Sequence, residues 1–247
     1  MNNKPVANNS SDYKFHVGIV PQEISLYEDL SAYDNLLFWG SMYKIPKTNL
    51  KAKIDEILDL IQLSDRKNDY IKTYSGGMKR RINIAVALLH SPEVLFMDEP
   101  TVGVDPQSRN HIYSILQKLH NQGKTILYTS HYIDEVEKMC SKIGIMDSGK
   151  IITEGTLQEI RKKHTAGVKI IIETHKNSLQ KLGIEKKMSI PITISEKKIE
   201  LIAKNTSANL AEITNILNNN ITIKNIDIQK ANLETIFLKL TGKKLRD

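Results

Sequence analysis

Four consecutive apolar residues, Val94-Leu95-Phe96-Met97, run straight into Asp98-Glu99-Pro100. A run of this length that is apolar at every position has the pattern of a strand buried on both faces, as in a parallel sheet covered by helices. Ligands of open α/β sheets sit beyond the C-terminal ends of the strands, which is where the two carboxylates fall. Adjacent carboxylates are costly there unless positive charge meets them, because desolvation disfavours their ionised forms. On the residues alone two readings stay open. One carboxylate can sit in the shell of a Mg²⁺ phosphate while its neighbour orients a water; alternatively, both merely cap a helix before Pro100.

The flanking sequence extends the α/β pattern. Residues 1 to 14 are polar and loop-like, and Phe15-His16-Val17-Gly18-Ile19-Val20 reads as a buried strand closed by Pro21, which leaves Gln22 at a strand edge. Ser31 with Asp34 suits a capping box opening a helix through Asn35 to Trp39. Leu50, Ile54, Ile57, Leu58 and Ile61 recur at helical spacing with Lys51, Lys53, Asp55 and Glu56 opposite. A helix follows Ser75-Gly76-Gly77, another spans residues 107 to 121, and a third begins at Asp134; strands are expected at Thr125 to Thr129 and Ile143 to Met146. Strand and helix alternate, so the expectation is α/β with a parallel sheet.

Beyond Thr165 the order changes. Val168 to Ile172, Ile199 to Ala203 and Ile221 to Ile228 look like strands, with a helix near Leu210 to Leu217 and a last helix over Leu233 to Leu240. The expected division is therefore residues 1 to 164, with a helical subdomain at about 30 to 91, and a small α+β accessory domain at 165 to 247. A core of this size needs no staple, and the single Cys140 reads as a small interior residue. Met1-Asn2-Asn3-Lys4-Pro5 reads without the apolar stretch of a secretory signal, and no run approaches the roughly 20 apolar residues of a membrane span. Basic residues number 35 against 28 acidic; residues 1 to 164 hold 21 against 20 and the remainder 14 against 8. The excess is dispersed among acids and asparagines without interleaved aromatics, which argues for a solvated surface and against nucleic acid as a partner.

Ser75-Gly76-Gly77 at the start of a helix offers a hydroxyl, unhindered backbone N–H groups and the positive end of the helix dipole to an anion; taken singly, however, it reads as a flexible turn with a serine cap. His131, after Thr129-Ser130, taken singly reads as a cap or core histidine. In order, however, Gln22, Tyr74 to Arg81, Val94 to Thr101, Gly103-Val104-Asp105 and Ser130-His131 resemble the ABC ATPase family, over roughly residues 15 to 160. The segments around 74 to 110, and the ending Leu233-Glu234-Thr235-Ile236-Phe237-Leu238, are similar to its drug-export, ABC-2 type branch. The resemblance implies a P-loop NTPase sheet with ATP and Mg²⁺ as cofactors. It implies that Gln22 is the Q-loop glutamine, touching the metal shell and sensing the membrane domain, and that Ser75, Gly76 and Gly77 are the signature that contacts ATP across a dimer. It further implies that Asp98 supports Mg²⁺, Glu99 is the general base, Asp105 is the D-loop aspartate and His131 is the switch histidine at the γ-phosphate. Tyr74 in place of leucine and Met78-Lys79-Arg80 in place of a Gly-Gln-rich stretch depart from the wider family and put specificity in doubt.

One part of the family pattern is absent from these 247 residues. No G-x-x-x-x-G-K-S/T loop occurs; Gly123-Lys124-Thr125 has Lys118 where the first glycine belongs and enters a strand, so it reads as a turn. Lacking that loop and its strand, the sheet is expected to show unpaired edges and exposed apolar faces, the isolated chain is expected to be inactive, and Met1 is expected to be an internal start or a truncation point. The resemblance implies a transmembrane permease subunit and a second nucleotide-binding subunit, identical or not, as partners at the cytoplasmic face of the membrane. Residues between Leu26 and Trp39 are the expected permease contact, unless Tyr27 and Trp39 both pack fully into the core. The alternative is a non-hydrolysing partner that lends its signature to another subunit's ATP.

Overall fold

The apolar runs at 17–20, 94–97 and 125–129 become adjacent parallel strands. The computed structural model describes residues 11–164, 167–175, 179, 183–217, 221–229 and 232–242; the polar start at residues 1–10 and the expected domain boundary at Thr165 lie outside them. Strand β1 (Val17–Val20) pairs with β2 (Val94–Asp98), and β2 with β3 (Thr125–Thr129), all parallel, with Val20, Met97 and Tyr128 in one row. Two compact units divide at Tyr132 and Ile133.

In the first unit, helices α1 (Ala32–Met42), α2 (Lys47–Leu60) and α3 (Gly76–Leu88) pack on one another, α3 lies on β1, and α4 (Pro106–Asn121) lies on β3. Ser31 caps α1 by accepting from Asp34 N, as the sequence suggests, and Leu50, Ile54, Ile57 and Leu58 are the buried stripe of α2. Gly18 is required where β1 meets α3, since a Cβ there would press on the Ala87 carbonyl. Tyr74, unexpected at its position, is buried and donates to the Arg66 carbonyl at 2.6 Å. Gly123 ends α4 at φ 85° and Lys124 reaches the Pro92 carbonyl, so Gly123-Lys124-Thr125 is the turn expected of it.

Among the described residues of this unit the two faces of the sheet differ. Leu95 and Met97 are buried under the helices, whereas Ile19, Phe96 and Leu127, matched in register across β1, β2 and β3, are 66%, 42% and 54% exposed. Among the described residues β1 and β3 are the sheet's edges. A row of exposed apolar side chains on a parallel sheet is unusual, because such sheets are ordinarily covered on both faces.

In the second unit, the helix expected from Asp134 is α5 (Ile133–Met139) and the strand expected at Ile143 to Met146 is β4 (Ile143–Asp147). Its partner differs from expectation: β4 pairs antiparallel with β5 (Lys150–Gly155) through Ser148 and Gly149, both at positive φ. Two successive positive-φ residues make the primed turn that suits a hairpin's twist, so local turn chemistry outweighs the alternation. With α6 (Leu157–His164) and α8 (Leu233–Thr241) this hairpin closes a small core of Ile143, Ile145, Ile160, Leu233 and Ile236. Cys140 packs against that core, where burial raises its thiol pKa. The remaining strands, β6 (Val168–Thr174), β7 (Ile192–Ile194), β8 (Lys198–Ala203) and β9 (Ile223–Gln229), form an antiparallel sheet in the order β7-β8-β6-β9. Helix α7 (Thr206–Leu217) adds Ile213 and Leu217 to its core.

Candidate functional site

Because β1, β2 and β3 are parallel and in register, the residues following their last turns of pleat converge on one edge. Gln22 follows β1, Glu99 follows β2, and His131 follows β3. Gln22 Nε2 donates to Glu99 Oε2 at 3.3 Å, and His131 Nδ1 lies 2.9 Å from Glu99 Oε1. The contact with Glu99 uses Nδ1 of the ring and leaves Nε2 for another partner. Glu99 and His131 side chains are each about a quarter exposed, at 26% and 28%, so both can reach a ligand from a partly desolvated setting.

Sequence reasoning overlooked Thr129. Its hydroxyl donates to Asp98 Oδ1 at 2.6 Å and accepts from Glu99 N at 3.0 Å, so one side chain on β3 orients the Asp98 carboxylate and the backbone of Glu99. Glu99 has φ 45°, a left-handed conformation that costs a non-glycine residue of order 1–3 kcal/mol. That turn swings its carboxylate off the strand line and toward Gln22 and His131. The only sequence signal for Thr129 was its place at the end of a strand beside Asp98, and that register is invisible without the sheet.

A second group forms at two helix N-termini. Ser75 caps α3 and accepts from Met78 N at 3.3 Å, with Gly76 and Gly77 in the first turn. Asp105 caps α4 and accepts from Ser108 N at 2.9 Å; hydrogen bonds from the Ser108 backbone and side chain hold its carboxyl below the ordinary range. Gly77 faces Ser108 and Asp105 so closely that a Cβ on it would overlap the Ser108 side chain, whereas nothing lies within 4 Å of the equivalent point on Gly76. Gly77 is thus a close-packing glycine and Gly76 an open one that leaves the end of α3 approachable. The candidate residues fall into these two groups: Gln22, Asp98, Glu99 and His131 on the sheet edge, and Ser75, Gly76, Gly77 and Asp105 at the α3 and α4 ends.

The segment between Gln22 and α1 presents aromatics. Tyr27 is 48% exposed and meets the ring of Phe38 edge-on at 4.9 Å, Phe38 meets Trp39 edge-on at 5.5 Å, and Trp39 is half-buried. Asn35, fully buried, accepts from Tyr27 N at 2.8 Å and donates to the Tyr27 and Ser31 carbonyls at 3.0 and 2.9 Å, which fixes this segment on α1.

Comparison with known proteins gives the family. The sequence model of the family described as ABC transporter matches residues 1–102. The chain is 43% identical over 244 residues to the linearmycin resistance ATP-binding protein LnrL of Bacillus subtilis (strain 168), covering 95% of this chain and 77% of that one. It is 31% identical over 253 residues to the Nod factor export ATP-binding protein I of Cupriavidus pinatubonensis, covering 99% and 73%. Among solved structures it resembles cbiO1 of Clostridium perfringens, described as part of the ABC transporter complex cbiONQ, with TM-score 0.54 and 29% identity over 61% of this chain and 63% of that one. A parallel sheet with glutamine, paired carboxylates and histidine gathered at its C-terminal edge, carried by a chain with relatives this similar over nearly its whole length, places the protein in the family of ABC transporter ATP-binding subunits.

Proposed function

We propose that this chain is the ATP-hydrolysing subunit of a transporter that exports its cargo through a separate membrane protein, with Glu99 as general base. The observation that carries the reading is the Glu99 carboxylate held between Gln22 and His131 at the sheet edge, beside an Asp98 that Thr129 orients. Glu99 takes the proton of the attacking water, and the histidine and glutamine on its two oxygens hold it in line. The donor set suits Mg²⁺: Asp98 offers a carboxylate oxygen, and Gln22, whose amide nitrogen faces Glu99, keeps its amide oxygen for a ligand. Two hard oxygens are few for a protein cage but fit an ion that retains water and phosphate oxygens. When bound, Mg²⁺ neutralises charge developing on the phosphate oxygens. His131 then serves at the γ-phosphate, and Ser75, Gly76, Gly77 and Asp105 face the nucleotide of a second ATP-binding subunit.

Resistance and export in the names of the relatives support an export role, and membership of a multi-subunit complex in the case of cbiO1 supports a permease partner. No helix among the described residues is long and apolar enough to cross a membrane; attachment to the cytoplasmic face then comes through the permease. Tyr27, Phe38 and the half-buried Trp39 form the surface proposed to meet it. Residues 165–247, with the β7-β8-β6-β9 sheet, serve as an accessory domain. Because the 247 residues contain no phosphate-gripping loop, the isolated chain is expected to show no ATP turnover. The deciding experiment compares ATP hydrolysis by the assembled transporter carrying Glu99→Gln or Ser75→Arg in this chain. Loss of turnover by about 100-fold or more with Glu99→Gln supports hydrolysis here. Full turnover with Glu99→Gln but loss with Ser75→Arg overturns it in favour of signature donation to another subunit.

A further inference from the structure

Residues 21–25 carry Gln22 but belong to no helix or strand, so their backbone groups must find partners elsewhere. They find them on one helix. Arg80, 5% exposed, donates from its two terminal nitrogens to the Pro21 carbonyl at 2.8 Å and the Gln22 carbonyl at 2.6 Å. Asn83, one turn along α3 and 3% exposed, reaches the Pro21 and Glu23 carbonyls at 3.4 Å each and accepts from Ser25 N at 3.3 Å. Three successive carbonyls and one amide of the loop are thus satisfied by two buried side chains at i and i+3 on the same face of α3. A guanidinium buried against carbonyls is costly, and desolvation lowers its pKa. Its fork is spent on the loop backbone, and a lysine has no equivalent geometry.

We propose that Arg80 and Asn83 are positioning residues that clamp the Gln22 loop to the signature helix. Through them the Gln22 amide reaches Glu99 only while α3 is seated, and a displacement of α3 is passed to the Gln22–Glu99 contact. Helix α3 begins at Ser75, so the clamp joins the two groups of candidate residues mechanically: what touches the start of α3 is felt at Glu99. The clamp stands on geometry alone; its importance for turnover rests on the function proposed above.

The test is hydrogen exchange on the full chain, comparing the native protein with Arg80→Met, Asn83→Leu and Arg80→Lys. Arg80→Met and Asn83→Leu are expected to speed exchange across residues 22–28 by about tenfold or more while β2 and the second half of α3 keep their protection. They are also expected to shift the Gln22 side-chain amide resonance, assigned by its loss in Gln22→Ala. Arg80→Lys, able to serve one carbonyl, should fall between. Unchanged exchange in 22–28, or a rise spread equally over α3 and β2, overturns the clamp. If Arg80→Met does not fold, Arg80→Lys and Asn83→Leu decide by the same criterion. Faster loop exchange with unchanged kcat in the assembled transporter upholds the clamp and refutes the role given to Gln22; a fall in kcat with an unchanged KM for ATP supports both.

Discussion

Single side chains separate two kinds of glycine that the sequence presents as a pair. A methyl on Gly77 collides with Ser108, which is itself buried in α4, so the two helix ends must part. Gly77→Ala is expected to cost about 1–3 kcal/mol by overpacking, whereas Gly76→Ala, with open space at the same point, should leave stability unchanged or slightly raised. Urea unfolding of the two variants checks this; equal midpoints would refute the distinction. Ser75-Gly76-Gly77 was legible as a helix start because capping and glycine chemistry are local. Which glycine packs and which stays open was not, because that depends on α4, whose N-terminus arrives from about thirty residues downstream. The same holds for Thr129: a threonine at a strand end says nothing until the register puts it opposite Asp98.

Helices and strands were legible where periodicity or capping was strong, as in α2 and α1, and where a continuous apolar run had no rival, as in β2. The joint between α3 and β1 was not. There His90, just past α3, stacks on Tyr43 with centroids 4.0 Å apart and lies 2.9 Å from the Val17 carbonyl through Nε2. Burial, opposed by the bond to Val17 and reinforced by the charge of Lys124, holds its pKa below the ordinary value. A base that resists protonation when folded lends stability that is complete above the unfolded histidine pKa of about 6.5 and drains away as the pH falls below it. The urea midpoint should therefore drop between pH 7.5 and 5 by less in His90→Phe, which keeps the stack but cannot titrate, than in the native chain; equal slopes would exclude His90 as a source of that pH dependence. The β4–β5 hairpin teaches the complementary lesson: an apolar run identifies a strand, but two positive-φ residues at Ser148 and Gly149 choose its partner.

At the scale of the molecule, the exposed row of Ile19, Phe96 and Leu127 has a direct physical consequence. Parallel sheets bury both faces in almost all proteins, and an uncovered apolar face beside an open edge favours association. Replacing Ile19 and Leu127 with threonine, which retains strand propensity, is expected to reduce self-association of the isolated chain in sedimentation experiments with little loss of stability. Undiminished association would show that this face is not its cause. The sequence was sufficient for the α/β class and for most helices and strands, and it put forward Gln22, Ser75, Gly76, Gly77, Asp98, Glu99, Asp105 and His131 as candidates, because caps, turns, apolar periods and motif order are written in neighbouring residues. It could not show that Glu99 is gripped from both sides, that Thr129 ties it to Asp98, or that Arg80 and Asn83 carry the Gln22 loop. Those are contacts between segments 30 to 77 residues apart in the chain, and only the parallel register and the packing of α3 on β1 bring them within hydrogen-bonding distance.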